Sequence, residues 1–119
     1  MRRRKLLIAD DSEMNRAILA NVLDQEFEVI EATNGQEVII ALQSYGTQIS
    51  ALLLDIVMPE MDGFEVLEEM NRRHWIEDIP TIMISAETSN TYIDRAFELG
   101  ASDYISRPFV PGIVRRRII

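Results

Sequence analysis

The sequence predicts a doubly wound α/β domain, a five-stranded parallel sheet with helices on both faces. Three observations carry that expectation. Short apolar runs of strand length alternate with stretches of helical period along the whole chain. The most apolar of those runs lack polar alternation, as strands buried on both faces do. The 119 residues allow one compact core and are too few for two ordinary domains.

The elements follow in order. Leu6-Leu7-Ile8-Ala9 is a short apolar strand closed by Asp10 and Asp11. A helix follows in which Ile18, Leu19, Val22 and Leu23 share one face. Glu28-Val29-Ile30-Glu31-Ala32 alternates, which suits a strand nearer the edge of the sheet. Asn34 caps the next helix, with Glu37 placed to complete a capping box and Val38, Ile39, Ala41 and Leu42 on its buried stripe. Ala51-Leu52-Leu53-Leu54 is the most apolar stretch and ends in Asp55, as a central strand would.

Pro59 and Asp62-Gly63 mark the following loop, and Asp62 with Glu65 starts a helix from about Phe64. Pro80-Thr81-Ile82-Met83-Ile84 is the fourth strand, ending at Ser85. The fourth helix carries Ile93, Ala96, Phe97 and Leu99, with Gly100 as its C′ residue. Ser102-Asp103-Tyr104-Ile105 is a short fifth strand. Pro108 and Pro111 precede a last helix with Ile113, Val114, Ile118 and Ile119. Strands that alternate with helices in this way pair in parallel, because a parallel pair needs a crossover of about a dozen residues. No internal repeat or linker divides residues 1–119, so a single domain is expected.

Composition narrows the function classes. Nearly half of the residues are apolar and about a quarter are charged, the balance of a globular domain. The formal charge of −8 disfavours direct nucleic-acid binding. No apolar run approaches the roughly 20 residues of a membrane span. Arg2-Arg3-Arg4-Lys5 resembles the start of a signal peptide, yet Asp10 and Asp11 interrupt the apolar stretch after it, so a cytoplasmic location is expected. The sequence has no cysteine, which removes disulfides and thiolate metal sites. The basic runs Arg2 to Lys5 and Arg115 to Arg117 read either as solvated ends of elements or as a docking surface.

In an open parallel sheet, functional groups gather at the carboxyl ends of the strands. Asp10 and Asp11, Asp55, Ser85 and Arg107 all follow or end strands, so neighbouring strands would bring them into one patch. Taken singly, an acidic pair reads as a helix cap and Ser85 as a turn residue. Taken together, three close carboxylates call for a divalent cation, and an all-oxygen site suits Mg²⁺. Aspartate is also a nucleophile for phosphoryl groups, and a hydroxyl and a cation beside it would neutralise the transferred charge.

These residues resemble the receiver domains of bacterial response regulators. The likeness runs through Leu7-Ile8-Ala9-Asp10-Asp11, Leu53-Leu54-Asp55-Ile56-Val57-Met58-Pro59-Glu60-Met61-Asp62-Gly63, Ile82-Met83-Ile84-Ser85-Ala86 and Gly100-Ala101-Ser102-Asp103-Tyr104-Ile105-Ser106-Arg107-Pro108-Phe109. It implies a flavodoxin-like sheet in the order 2-1-3-4-5. It also implies a signalling switch rather than an enzyme, one that assists its own phosphorylation and dephosphorylation. Asp55 would be the phosphoacceptor. Mg²⁺ would be held by Asp11, Asp55 and the backbone carbonyl of Val57, with Asp10 acting directly or through water. Ser85 would donate a hydrogen bond to the phosphoryl group, with the small Ala86 leaving it room. Tyr104 would turn inward when the switch is on. The donor would be a histidine kinase or phosphotransfer protein. The fourth helix, fifth strand and last helix would form the responding face, available also to a homodimer.

Arg107 departs from the lysine usual before the Pro108-Phe109 pair. It keeps the charge but as a planar fork able to grip phosphate in a bidentate manner. Val57, apolar and two residues after the acceptor, cannot orient an attacking water, so slow autodephosphorylation is expected; Glu87 is the other position tied to lifetime. The last helix ends early for this family and is expected to be truncated, which implies either a fragment or a chain whose output domain has been removed. The tail resembles that of receivers fused to cyclic-dinucleotide synthesis or breakdown domains, while a DNA-binding output is the other common arrangement.

Two rival readings fit less well. A haloacid-dehalogenase-type phosphatase needs a second acid two residues after its nucleophile, where this chain has Val57. A flavodoxin-like cofactor binder needs a phosphate-cradling loop after the first strand, where two carboxylates would repel phosphate. A degenerate receiver acting only as an interaction module has Arg107 in its favour and the intact acids against it. His74, the only histidine, has no orienting partner in sequence and reads as a surface or packing residue.

Overall fold

All five apolar runs become strands of one parallel sheet in a computed structural model that describes residues 4–86 and 89–118. Arg2, Arg3, Glu87 and Ile119 lie outside the described residues. The strands are β1 (Arg4–Ala9), β2 (Phe27–Ala32), β3 (Ile49–Leu54), β4 (Thr81–Ser85) and β5 (Asp103–Ser106), in the order β2-β1-β3-β4-β5. The helices are α1 (Glu13–Leu23), α2 (Gly35–Tyr45), α3 (Gly63–Arg72), α4 (Asn90–Glu98) and α5 (Pro111–Ile118). No helix among the described residues is long and apolar enough to cross a membrane.

Side-chain alternation divides the core into two layers. Leu6 and Ile8 join Leu53, Ile82, Ile84 and Ile105 beneath Leu19 and Leu23 of α1 and Val114 of α5. Leu7 and Ala9 join Leu52, Leu54 and Met83 beneath α2, α3 and α4. Successive residues of β1 and β3 point to opposite faces and both faces are covered, so residues 6–9 and 51–54 are apolar at every position. β2 lies at an edge, where its half-buried Val29 and Ile30 are flanked by the exposed Glu28 and Glu31.

The helix starts follow their capping residues. Asp62 and Glu65 close a full capping box at α3. At α2, Asn34 accepts from the Glu37 N–H, but the expected reciprocal bond does not form. Glu37 reaches one residue further back, to the N–H (2.6 Å) and hydroxyl (2.8 Å) of Thr33. Two donors there outcompete the single N–H of Asn34, and the Thr33 N–H in particular holds the Glu37 carboxyl below its ordinary pKa. Gly100 ends the α4 region at φ 101°, a left-handed conformation that favours glycine. Phe97, grouped by sequence with the apolar residues of α4, is 46% exposed. Helix α4 packs against the four-residue edge strand β5, so only Ala96 is fully covered.

Candidate functional site

Register places the acids. Ala9 pairs with Leu54, so the next residues, Asp10 and Asp55, leave adjacent strands at the same level. The ladder continues past the strand ends: the Asp55 N–H donates to the Ala9 carbonyl (3.0 Å), and the Asp10 N–H donates to Ala32 (3.1 Å). Asp10 and Asp55 are buried and Asp11 is exposed, and one carboxylate oxygen from each lies within 4.8 Å of the others.

Main-chain and basic groups hold this trio in place. Ser12 caps α1 and donates its N–H to Asp10 Oδ1 (2.8 Å). Arg16 grips the Asp10 carbonyl oxygen (2.8 Å) while pairing with Glu31 (2.9 Å). Arg107 Nη2 bonds Asp10 Oδ2 directly and stands 3.4 Å from Asp55 Oδ2. Strand pairing of β4 with β5 starts the Arg107 side chain there, because the Arg107 N–H donates to the Ser85 carbonyl (2.9 Å).

The electrostatic balance falls on Asp55. Burial disfavours its charge and is the largest influence; Arg107 opposes it, Asp10 reinforces it, and the Val57 and Ile56 N–H groups partly offset it. The result is a carboxyl pushed up to about 6, still ionised for the most part at neutral pH.

The other residues singled out by sequence lie at different depths. Ser85 is fully buried at the end of β4. Tyr104 lies on β5, half-buried and packed against the core layer beneath α2, α3 and α4. Val57 is 61% exposed beside the buried Ile56 and Met58. His74 is a surface residue beyond the far end of α3, with its Nδ1 3.7 Å from Glu77.

Two structural contributors escaped the sequence reading. A Cβ on Gly63 would lie 2.4 Å from the Asp55 carbonyl oxygen and 2.8 Å from Ile56 Cα, so only glycine fits. The Gly63 N–H also donates to the Ile56 carbonyl (2.7 Å), binding the start of α3 to the loop after β3. The Asp62-Gly63 pair carried a signal for a turn, but not for this close approach. Arg16 carried no signal at all. Beside the acids, a cleft of about 580 Å³ is lined by Asn15, Ile18, Ala86, Arg107, Phe109 and Pro111, among others.

Comparison with known proteins gives a consistent result. A family model described as the response regulator receiver domain matches residues 6–118. Response regulator RR06 of Streptococcus pneumoniae is 40% identical over 114 residues, covering 95% of this chain and 50% of that protein. Transcriptional regulatory protein SrrA of Staphylococcus aureus is 39% identical over 116 residues, 96% of this chain and 46% of its own length. The chain thus spans about half the length of these curated relatives. Among solved structures, the CheX–CheY–BeF3–Mg²⁺ complex from Borrelia burgdorferi is 29% identical, covers 96% of this chain and 85% of that one, and superposes with a TM-score of 0.86.

Proposed function

The chain belongs to the response regulator receiver family, and on that premise we propose that it takes a phosphoryl group onto Asp55 and switches between two states in response. The observation that carries this reading is the trio of carboxylates within 4.8 Å, flanked by one arginine and built around a buried aspartate. The three side chains offer only carboxylate oxygens, which fits a hard cation such as Mg²⁺. Asp11, Asp55 and the Val57 carbonyl would hold it, with Asp10 acting directly or through water. When bound, the cation supplies positive charge against the phosphoryl oxygens.

The chain's own groups do the rest. The Asp55 carboxylate attacks the phosphorus of a phosphohistidine donor, forming a P–O bond as the P–N bond breaks and the electron pair leaves with the imidazole nitrogen. The Ser85 hydroxyl donates to a phosphoryl oxygen, and Arg107 offers a charged fork. Phosphorylation adds roughly two negative charges at neutral pH, drawing Ser85 and Arg107 inward. Space behind Ser85 then admits Tyr104, and the change appears on the face made by α4, β5 and α5, which would also serve a homodimer. This is a population shift set by the difference in phosphate contacts between the two states.

The cleft shared by Arg107 and Ala86 opens beside the acceptor, so it suits the docking of a histidine kinase or phosphotransfer protein. Relatives about twice the matched length support a further output domain, and the name of SrrA favours transcription control over cyclic-dinucleotide turnover. The exposed, apolar Val57 supports a long-lived phosphoryl group, with a half-life well above seconds.

The test is incubation with Mg²⁺ and acetyl phosphate. An acid-stable, base-labile phosphorylated species should form and be missing in Asp55→Asn. A wild-type chain that stays unmodified would overturn this reading and favour an interaction module without phosphotransfer.

A further inference from the structure

Arg107 bonds an acid that belongs to the same trio expected to hold the cation. Its Nη2 contacts Asp10 and stands 3.4 Å from Asp55, and its side chain is largely shielded from water. Its buried Nε has no hydrogen-bond partner among the described residues, so the guanidinium is held at its outer nitrogen only. The anchoring of its main chain to the Ser85 carbonyl keeps the charge tethered within reach of the acids.

We infer that Arg107 is an internal counter-ion that competes with the divalent cation, so that filling the acid trio requires the guanidinium to leave Asp10. This extends the phosphoacceptor reading and depends on its metal site. Three carboxylates attract both cations, and two positive charges a few ångströms apart repel each other. The coupling is reciprocal: whatever the metal loses to the arginine, the Asp10–Arg107 pair loses to the metal. A guanidinium released from Asp10 presents Nη and the unpartnered Nε as a fork of two donors, the geometry that grips a phosphoryl group. Lysine, a compact and more strongly hydrated charge on a flexible stem, would compete less because drawing it out of water against the buried Asp10 costs more. One residue thereby links occupation of the metal site to readiness for phosphate.

The test is calorimetric titration of MgCl2 into the wild-type chain, Arg107→Gln and Arg107→Lys at constant ionic strength. In parallel, the Arg107 Nε–H resonance of the wild type is followed by NMR. Arg107→Gln should bind Mg²⁺ about tenfold more tightly than wild type, as removal of one of two close like charges predicts, with Arg107→Lys between them. The Nε–H resonance should move with the same midpoint as the amides of Asp11 and Val57. Equal affinities across the three chains, or an Nε–H resonance that stays still while those amides move, would overturn the inference and leave the metal site standing. No Mg²⁺ binding in any of the three would overturn both.

Discussion

The two edges of the sheet use the same residue types in opposite ways. At the carboxyl edge, Arg107 faces Asp10 and Asp55, whose side chains are 3% and 4% exposed. At the amino edge, Lys5–Glu28 (3.0 Å), Arg115–Glu26 and Arg117–Asp103 (2.6 Å) each have one partner between 48% and 58% exposed. Solvent and salt screen the second group, leaving pairs of this kind worth about 0–1 kcal/mol. In the first group, desolvation outweighs the attraction of Arg107 and raises the pKa of Asp55. Identical chemistry leaves exposed pairs screened at one edge and a carboxyl with a raised pKa at the other, because water is excluded from one of them.

The contrast can be broken at three points. Gly63→Ala should have the largest effect, because its Cβ would strike backbone that moves only if Asp55 moves. We expect a loss of about 3 kcal/mol in urea unfolding, together with reduced acetyl-phosphate uptake. A variant as stable as wild type would mean that the carboxyl edge yields as easily as its counterpart.

Asp55→Asn should have the opposite sign. Burial raises the folded pKa to about 6 from an ordinary 3.8, so the folded state holds the proton more tightly than the unfolded one. The charge therefore costs stability in full above pH 6, less as pH falls towards 4, and nothing below that. In EDTA at pH 8 the asparagine variant should be more stable by about 2 kcal/mol, with the gap closing on acidification. A gap independent of pH would show that desolvation of Asp55 is not its cause. Arg117→Ala should change unfolding free energy by no more than about 0.5 kcal/mol at physiological salt, and a larger loss would deny that the amino edge is screened.

Much of the fold was legible because burial on both faces leaves apolar runs that no amphipathic helix would show. The boundaries were less so. Strand β3 begins at Ile49, two residues before the expected start, because Ser50 interrupts the apolar run. The likeness of the site to the family was legible through Asp10, Asp11, Asp55 and Arg107, which parallel strands of matched length must bring together. Which acid takes the arginine was not legible. That pairing joins residues 97 apart in sequence and depends on where a side chain started by β5 comes to rest. Gly63 was legible as a turn residue only, since its close approach to Asp55 is a fact of packing rather than of pattern.

The uniform strand direction has a further electrostatic consequence. Every strand pair is parallel, so the chain leaves each of the first four strands at the carboxyl edge and enters its next helix there, as it also does on passing from β5 into α5. The first-turn N–H groups of five helices therefore lie on the same side of the molecule as the three aspartates, each turn carrying about half a positive charge. An incoming anion meets a field produced by the main chain, one that persists whatever side chains are exchanged around it.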